Sequence, residues 1–244
     1  MRRLLAATAL ASLTFSGCAQ ADPVDKAEVE NIVRAYLLEN PEILIEMSEA
    51  LREKERADEE RLLAEVLKDL DDRIKTDPRD ITIGPDDAKV TVVEFFDYNC
   101  PPCKASTKWT RNLIDEHGDD VRVIFKEIPI LDRGAENGSS RQAARAALAA
   151  AKQGKYTTMH FSLMNERSLT PERIEAIAEA AGLDMDQFRE DVADPALDVH
   201  LNQNLQLARE IPTMATPFFI INDEVVRGAD IERLETTLEA ALGS

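Results

Sequence analysis

The sequence has little with which to staple or kink itself. Among 244 residues there are 3 cysteines, 9 glycines and 11 prolines. A disulfide-dense miniprotein, a collagen-like repeat and a low-complexity disordered chain are therefore excluded. Aromatic residues amount to 5%, yet hydrophobic residues reach 44%, which at this length suffices for a core in one or two domains. Positive charge is also scarce: 29 Lys and Arg stand against 47 Asp and Glu, a net charge of −18. Such a surface repels phosphate backbones and anionic headgroups, so no nucleic-acid partner is expected. The 3 histidines, His117, His160 and His200, have no ligand-like spacing, and no metal site is expected. Past the N-terminus no apolar run reaches the ~18 residues of a membrane helix.

The N-terminus itself carries an export pattern. Arg2 and Arg3 form a basic n-region, Leu4 to Phe15 an apolar h-region too short to span a membrane, and Ala19-Gln20-Ala21 a small-x-small cleavage site. Residues 1–21 read as a signal peptide and Asp22 as the mature N-terminus, which implies a periplasmic location. Ser16-Gly17-Cys18 offers an alternative, lipid anchoring through Cys18. After cleavage at Ala21 only Cys100 and Cys103 remain, in an oxidising compartment where structural disulfides tie distant segments together. Two cysteines three apart close too small a loop to remove much unfolded-state entropy, so redox chemistry explains them better than stabilisation.

Hydrophobic period divides the rest. Val29, Ile32, Val33, Tyr36 and Leu37 recur at helical spacing, and Asn40-Pro41 ends one helix and opens the next. From Glu42 to Lys75 there is neither Gly nor Pro, and Ile43, Leu44, Met47, Leu51, Leu62, Leu63, Val66, Leu67 and Leu70 mark a thin apolar stripe on one long helix. A stripe this thin must pack on the remaining chain or on copies of itself. Residues 22–77 are therefore read as a helical oligomerisation region and linker helix, and a second domain, 78–244, starts at Pro78. There Val90 to Tyr98 predicts a strand buried on both faces, Pro102 to His117 a helix, and Val121 to Ile128 a second strand. Helices are predicted over 141–152, 156–165, 171–181, 185–194 and 195–210. Strands 217–221 and 224–227 follow around Asn222-Asp223, and Asp230 caps a last helix. Strand, helix, strand, helical insertion, hairpin, helix is an α/β layout with a small mixed sheet.

Cys100-Pro101-Pro102-Cys103 falls where a buried strand gives way to a helix. The partial positive charge and free N–H donors of a helix N-terminus stabilise a thiolate, the form that attacks disulfides. Cys100 is expected as the exposed nucleophile and Cys103, one turn in, as the resolving thiol. The redox-active pair needs no cofactor. A zinc site would need two further ligands, and a copper(I)-binding thiol protein is the alternative from another class, since two adjacent soft ligands suffice for it.

The run Val93-Glu94-Phe95-Phe96-Asp97-Tyr98-Asn99-Cys100-Pro101-Pro102-Cys103-Lys104 resembles the active-site strand and helix start of the DsbA family of thioredoxin-fold oxidoreductases. The likeness continues through Phe125-Lys126-Glu127-Ile128-Pro129-Ile130-Leu131 to Ala215-Thr216-Pro217-Phe218-Phe219-Ile220, which resembles the family's cis-proline loop. It implies a thioredoxin fold with a helical insertion, with Thr216 and Pro217 presenting backbone groups to an extended substrate. Glu94, on an otherwise apolar strand face, must raise its pKa or find a partner. In the family layout Lys126 is the candidate, and the pair would tune the Cys103 thiol. Ala35-Tyr36-Leu37-Leu38-Glu39-Asn40-Pro41-Glu42 resembles the N-terminal oligomerisation region of ScsC-like members, some of them trimeric disulfide isomerases. The chain is thus expected to be a homo-oligomer, trimer or dimer, acting as an isomerase or reductase on unfolded or misfolded exported proteins with a membrane redox partner. A monomeric DsbA-like oxidase is the alternative. Two prolines between the cysteines withhold N–H donors from Cys100, so the pair is expected to be less oxidising than in a strong oxidase.

Overall fold

The computed structural model describes residues 25–243; the expected signal peptide, its cleavage site and Cys18 lie outside the described residues. The chain divides between Glu55 and Arg56 into two compact units. In the first, α1 (Lys26–Glu39) is capped by Asp25, whose carboxylate accepts from the Ala27 N–H at 3.2 Å, and ends at Asn40. Pro41 precedes α2 (Glu42–Asp69). None of residues 25–55 is buried. Ile32, Tyr36, Leu38, Leu44, Ile45 and Met47 all lie open, Leu38 at 73% exposure.

Residues 56–77, which pattern alone grouped with the helical region, pack within the second unit. The helix expected to run unbroken to Lys75 instead stops at Leu70 and resumes as α3 (Asp71–Lys75). Leu63, Leu67, Leu70 and Ile74, spaced as one helical face through this break, pack together on one sheet face.

That sheet has five strands in the order β1-β3-β2-β4-β5. Strand β2 (Val90–Phe96) pairs parallel with β3 (Val121–Glu127) and antiparallel with β4 (Phe218–Ile221). Strand β5 (Glu224–Arg227) closes one edge and β1 (Ile81–Ile83) the other, antiparallel to β3. Pattern did not reveal β1, because three half-buried residues are too few to show a period. Gly84 ends it at φ +106, where an added Cβ would lie 2.1 Å from the Val121 carbonyl oxygen.

Alternation on β2 supplies two cores, as expected of a strand covered on both faces. Val90, Val92 and Phe96 face α4 (Pro101–His117), the helical insertion and α10 (Ile231–Gly243). Val93 and Phe95 face the end of α2, α3 and the end of α9 (Pro195–Glu210). The insertion comprises α5 (Ser139–Lys152), α6 (Tyr156–Asn165), α7 (Pro171–Ala180), α8 (Met185–Val192) and α9. Thr170, Asp184 and Asp194 cap its last three helices with their side chains, and Pro171 and Pro195 occupy first turns. Alanines 143, 144, 146, 147, 149 and 150 bury almost the whole of α5, since small side chains let neighbouring helices approach from several sides.

Candidate active site

Strand β2 delivers the chain into a turn held by one buried carboxylate. Asp97 Oδ1 accepts from the Asn99 N–H at 2.7 Å and from the Ser140 hydroxyl at 2.7 Å, while Oδ2 accepts from the Leu131 N–H at 2.9 Å. This residue thus binds the active-site turn, the start of α5 and the loop after β3 to one another. Cys100 follows as the N-cap of α4, with Pro101 and Pro102 in its first positions. The prolines have no N–H, and the Lys104 N–H is taken by the Cys100 carbonyl at 3.1 Å. Of the backbone donors in this first turn, only the Cys103 N–H is left to the sulfur.

Across the turn, the Thr216–Pro217 peptide bond is cis, as the resemblance implied. The Cys100 thiol donates to the Thr216 carbonyl at 3.3 Å. This closeness corrects the expectation of an exposed nucleophile: with the cis-proline loop against it, Cys100 is 5% exposed, and Cys103 is wholly buried. Both sulfurs are free thiols. Their acidities are pushed apart. A hydrogen bond from the Cys103 thiol lowers Cys100 to about 6, with help from the Thr216 side chain and the Cys103 N–H, against desolvation and the Asp97 charge. Burial raises Cys103 far above its ordinary value, and its hydrogen bond to Cys100 raises it further.

Beneath them Glu94 is 1% exposed and accepts from the Thr110 hydroxyl at 3.0 Å. Desolvation lifts it to about 8, and its charge, when ionised, adds to what burial and Cys100 do to raise Cys103. Lys126 is not its partner. Pairing sets Glu94 opposite Phe125 and Phe95 opposite Lys126, so Glu94 and Lys126 fall on opposite faces of the sheet. Lys126, fully buried, forms an ion pair with Asp80 instead and donates to the Arg73 carbonyl at 2.9 Å. Asp80 rises to about 6 through desolvation, opposed by Lys126, and His200 approaches its other oxygen at 3.4 Å.

Several residues of this region were missed from sequence. Thr110 lies two helical turns after Cys103 and so on the same face, a signal the spacing carried. Glu127 is also buried and lifted to about 8 by desolvation, and accepts from the Tyr156 hydroxyl at 2.6 Å; no local pattern marked Glu127 and Tyr156, which are far apart in the chain. Asp97 is an acidic residue directly before a turn, a recurrent loop-fixing position, and that local signal could have marked it.

A dithiol at a helix N-terminus, facing a cis-proline loop at the end of a mixed sheet, defines a thiol–disulfide oxidoreductase of thioredoxin fold. The chain matches the DSBA-like thioredoxin domain over residues 91–240, and it belongs to that family. Residues 25–58 match the N-terminal domain of the copper resistance protein ScsC. A linker-deleted, point-mutated form of Proteus mirabilis ScsC superposes at a TM-score of 0.66 with 28% identity, covering 93% of this chain and 99% of that one. A thioredoxin-like oxidoreductase from Silicibacter pomeroyi is 35% identical at a TM-score of 0.63, covering 71% and 98%. A Na(+)/H(+) antiporter NhaA 3 from Salinispora tropica is 33% identical over 178 residues, which are 72% of this chain. The chain spans 27% of that protein's length, and no described helix is long and apolar enough to cross a membrane.

Proposed function

We propose that the chain is an exported, periplasmic thiol–disulfide oxidoreductase that isomerises or reduces disulfides in unfolded or misfolded proteins. The observation that carries this reading is the split between the two thiols: Cys100 is lowered to about 6 while Cys103 is raised. At neutral pH Cys100 is the thiolate and Cys103 holds its proton, the arrangement an attacking and a resolving thiol require.

In the forward step the Cys100 thiolate attacks one sulfur of a substrate disulfide. A Cys100–substrate bond forms, the substrate S–S bond breaks, and the departing thiolate takes up a proton. When that freed thiol, again as its thiolate, attacks a second disulfide of the substrate, and the cysteine thiolate released there attacks the substrate sulfur bonded to Cys100, two new substrate disulfides form, the Cys100–substrate bond breaks and Cys100 leaves as the thiolate, with no net redox change. When Cys103 attacks instead, the Cys100–Cys103 disulfide closes and the substrate leaves reduced by two electrons, which a membrane redox partner must then resupply. Glu94, lifted to about 8, acts as the acid–base group that exchanges the Cys103 proton in this second route: its carboxylate form, the minor one at neutral pH, takes up the proton and then returns it to solvent. Thr216 and Pro217 align the substrate backbone beside the Cys100 sulfur.

Support for a homo-oligomer, trimer or dimer, comes from the open apolar side chains of residues 25–55 and the likeness of that region to ScsC. Reactivation of scrambled ribonuclease by the mature chain, with its mass measured by light scattering, tests the proposal. Reactivation by an oligomer is expected. Failure to reactivate, joined to rapid oxidation of reduced ribonuclease by a monomer, would replace it with a DsbA-like oxidase.

A further inference from the structure

Beside the cis-proline loop an open groove of about 580 Å³ runs between the loop after β3 and the end of α9. Ile130, Leu205, Ile211 and Met214 supply apolar surface, and Arg133 and Arg209 stand along it. Both walls of the groove lie close along the chain to groups that hold the reactive centre. Met214 is two residues from Thr216, whose carbonyl meets the Cys100 thiol, and Asp97 ties the N–H of Leu131, next to Ile130, to the active-site turn.

Its charge is opposite to that of the protein. The chain carries −18, yet no acidic residue among the described residues lines this groove. The nearest carboxylates in sequence are engaged elsewhere. Asp132 accepts from the Ser140 and Arg141 N–H groups at 3.1 and 2.7 Å, and Glu210 is held by Arg73 at 3.0 Å. Arg133 and Arg209 are exposed, and neither has an ion-pair partner among the described residues. Two free guanidinium groups beside apolar surface complement an extended segment that carries apolar and acidic side chains.

We infer that this groove is a substrate subsite selecting cysteine-containing segments in which apolar residues are joined by Asp or Glu a few positions from the reacting cysteine. The inference rests on the thiol–disulfide reading above and deepens it by naming the substrate class. A strand laid along residues 214–216 advances about 3.3 Å per residue, so side chains two to four positions from its cysteine reach the groove. Elsewhere an acidic substrate meets repulsion from an acidic surface; here it meets the two arginines.

The test is a single-turnover measurement with the reduced mature protein and two peptide disulfides matched in apolar content, one bearing two glutamates beyond its cysteine and the other two lysines. Hydroxyethyl disulfide, small and uncharged, serves as the reference. Each turnover converts the Cys100–Cys103 dithiol to its disulfide and one substrate disulfide to two thiols. With rates referred to hydroxyethyl disulfide, the acidic peptide should react about fivefold faster than the basic one, the scale of two exposed ion pairs, and high salt should shrink the ratio. The ratio should approach one in Arg133→Ala/Arg209→Ala and invert in Arg133→Glu/Arg209→Glu. Equal rates for the two peptides in the native protein would overturn the inference, as would an unaltered ratio in the variants. A variant that changes mass in light scattering but keeps the ratio would assign the groove to a second copy of the chain, and would also overturn it. Absence of reaction with hydroxyethyl disulfide as well as both peptides would instead sink the thiol–disulfide reading itself.

Discussion

Residues 25–55 and residues 56–243 use similar apolar side chains to opposite ends. In the first region Ile32, Tyr36, Leu44 and Ile45 lie open along helices that bury nothing. In the second, Leu63, Leu67 and Ile74, drawn from the same run of helical sequence, close a core against β2 and β3. Composition does not separate the two; the presence of a covering surface does. Burial of a large apolar side chain is worth about 1.5–3 kcal/mol, so the closed set is folding energy, and in the proposed oligomer the open set supplies association energy. The two regions should therefore fail differently when damaged.

The largest effect belongs to the reactive centre. Cys100→Ser should abolish thiol–disulfide exchange, whereas Cys103→Ser should retain an attacking thiol and accumulate mixed disulfides visible on non-reducing gels. Near-normal turnover of Cys100→Ser would overturn the assignment of the attacking thiol.

Next comes the buried pair on the far side of the sheet. Lys126→Met leaves Asp80 without its counter-charge in a dry site, and a loss of about 3–5 kcal/mol in urea unfolding is expected. An Ile32→Glu/Ile45→Glu variant should leave that unfolding midpoint in place and lower the mass measured by light scattering. If the variant instead unfolds more easily at unchanged mass, the open face is part of a fold and not an association surface.

A smaller, pH-dependent effect falls on Glu94. Its folded pKa is raised from 4.5 to about 8, so the native state holds a proton that the unfolded state releases. The stability linked to this proton is complete below pH 4.5, declines as pH rises, and is gone above about 8. Glu94→Gln should therefore unfold with a midpoint that rises relative to the native protein between pH 5 and 8, by up to a few kcal/mol. The same variant should slow release of mixed disulfides by Cys103. An unchanged pH profile would mean that Glu94 reaches water.

Smallest is the redox poise. Because the two prolines leave only the Cys103 N–H to Cys100, the potential should lie below the roughly −120 mV of DsbA and nearer the about −180 mV of protein disulfide isomerase. Equilibration with glutathione measures it. In the same experiment, alkylation of Cys100 should reach half its maximal rate near pH 6, the value to which its thiol is lowered.

Much of this was legible from local signals. The ends of α6 and α9 coincide with those read from pattern, because Pro195, Asp194 and Gly154 act within a few residues of themselves. The helix start at Cys100 and its redox spacing were equally local, as was the two-faced burial of β2. What the chain alone could not decide was which distant group stands opposite which. The register of β2 against β3 put Glu94 and Lys126 on opposite faces, because a strand's side chains alternate and one position changes the face. The cis-proline loop came down on Cys100 from 116 residues away and covered a thiol that its own neighbours would leave open. Asp80 became the partner of Lys126 only once β1, too short to announce itself, had paired with β3. Local chemistry set the helices and the reactive pair; the pairing of strands, a matter of non-local hydrogen bonds and two dry faces, decided the surroundings that set their acidities.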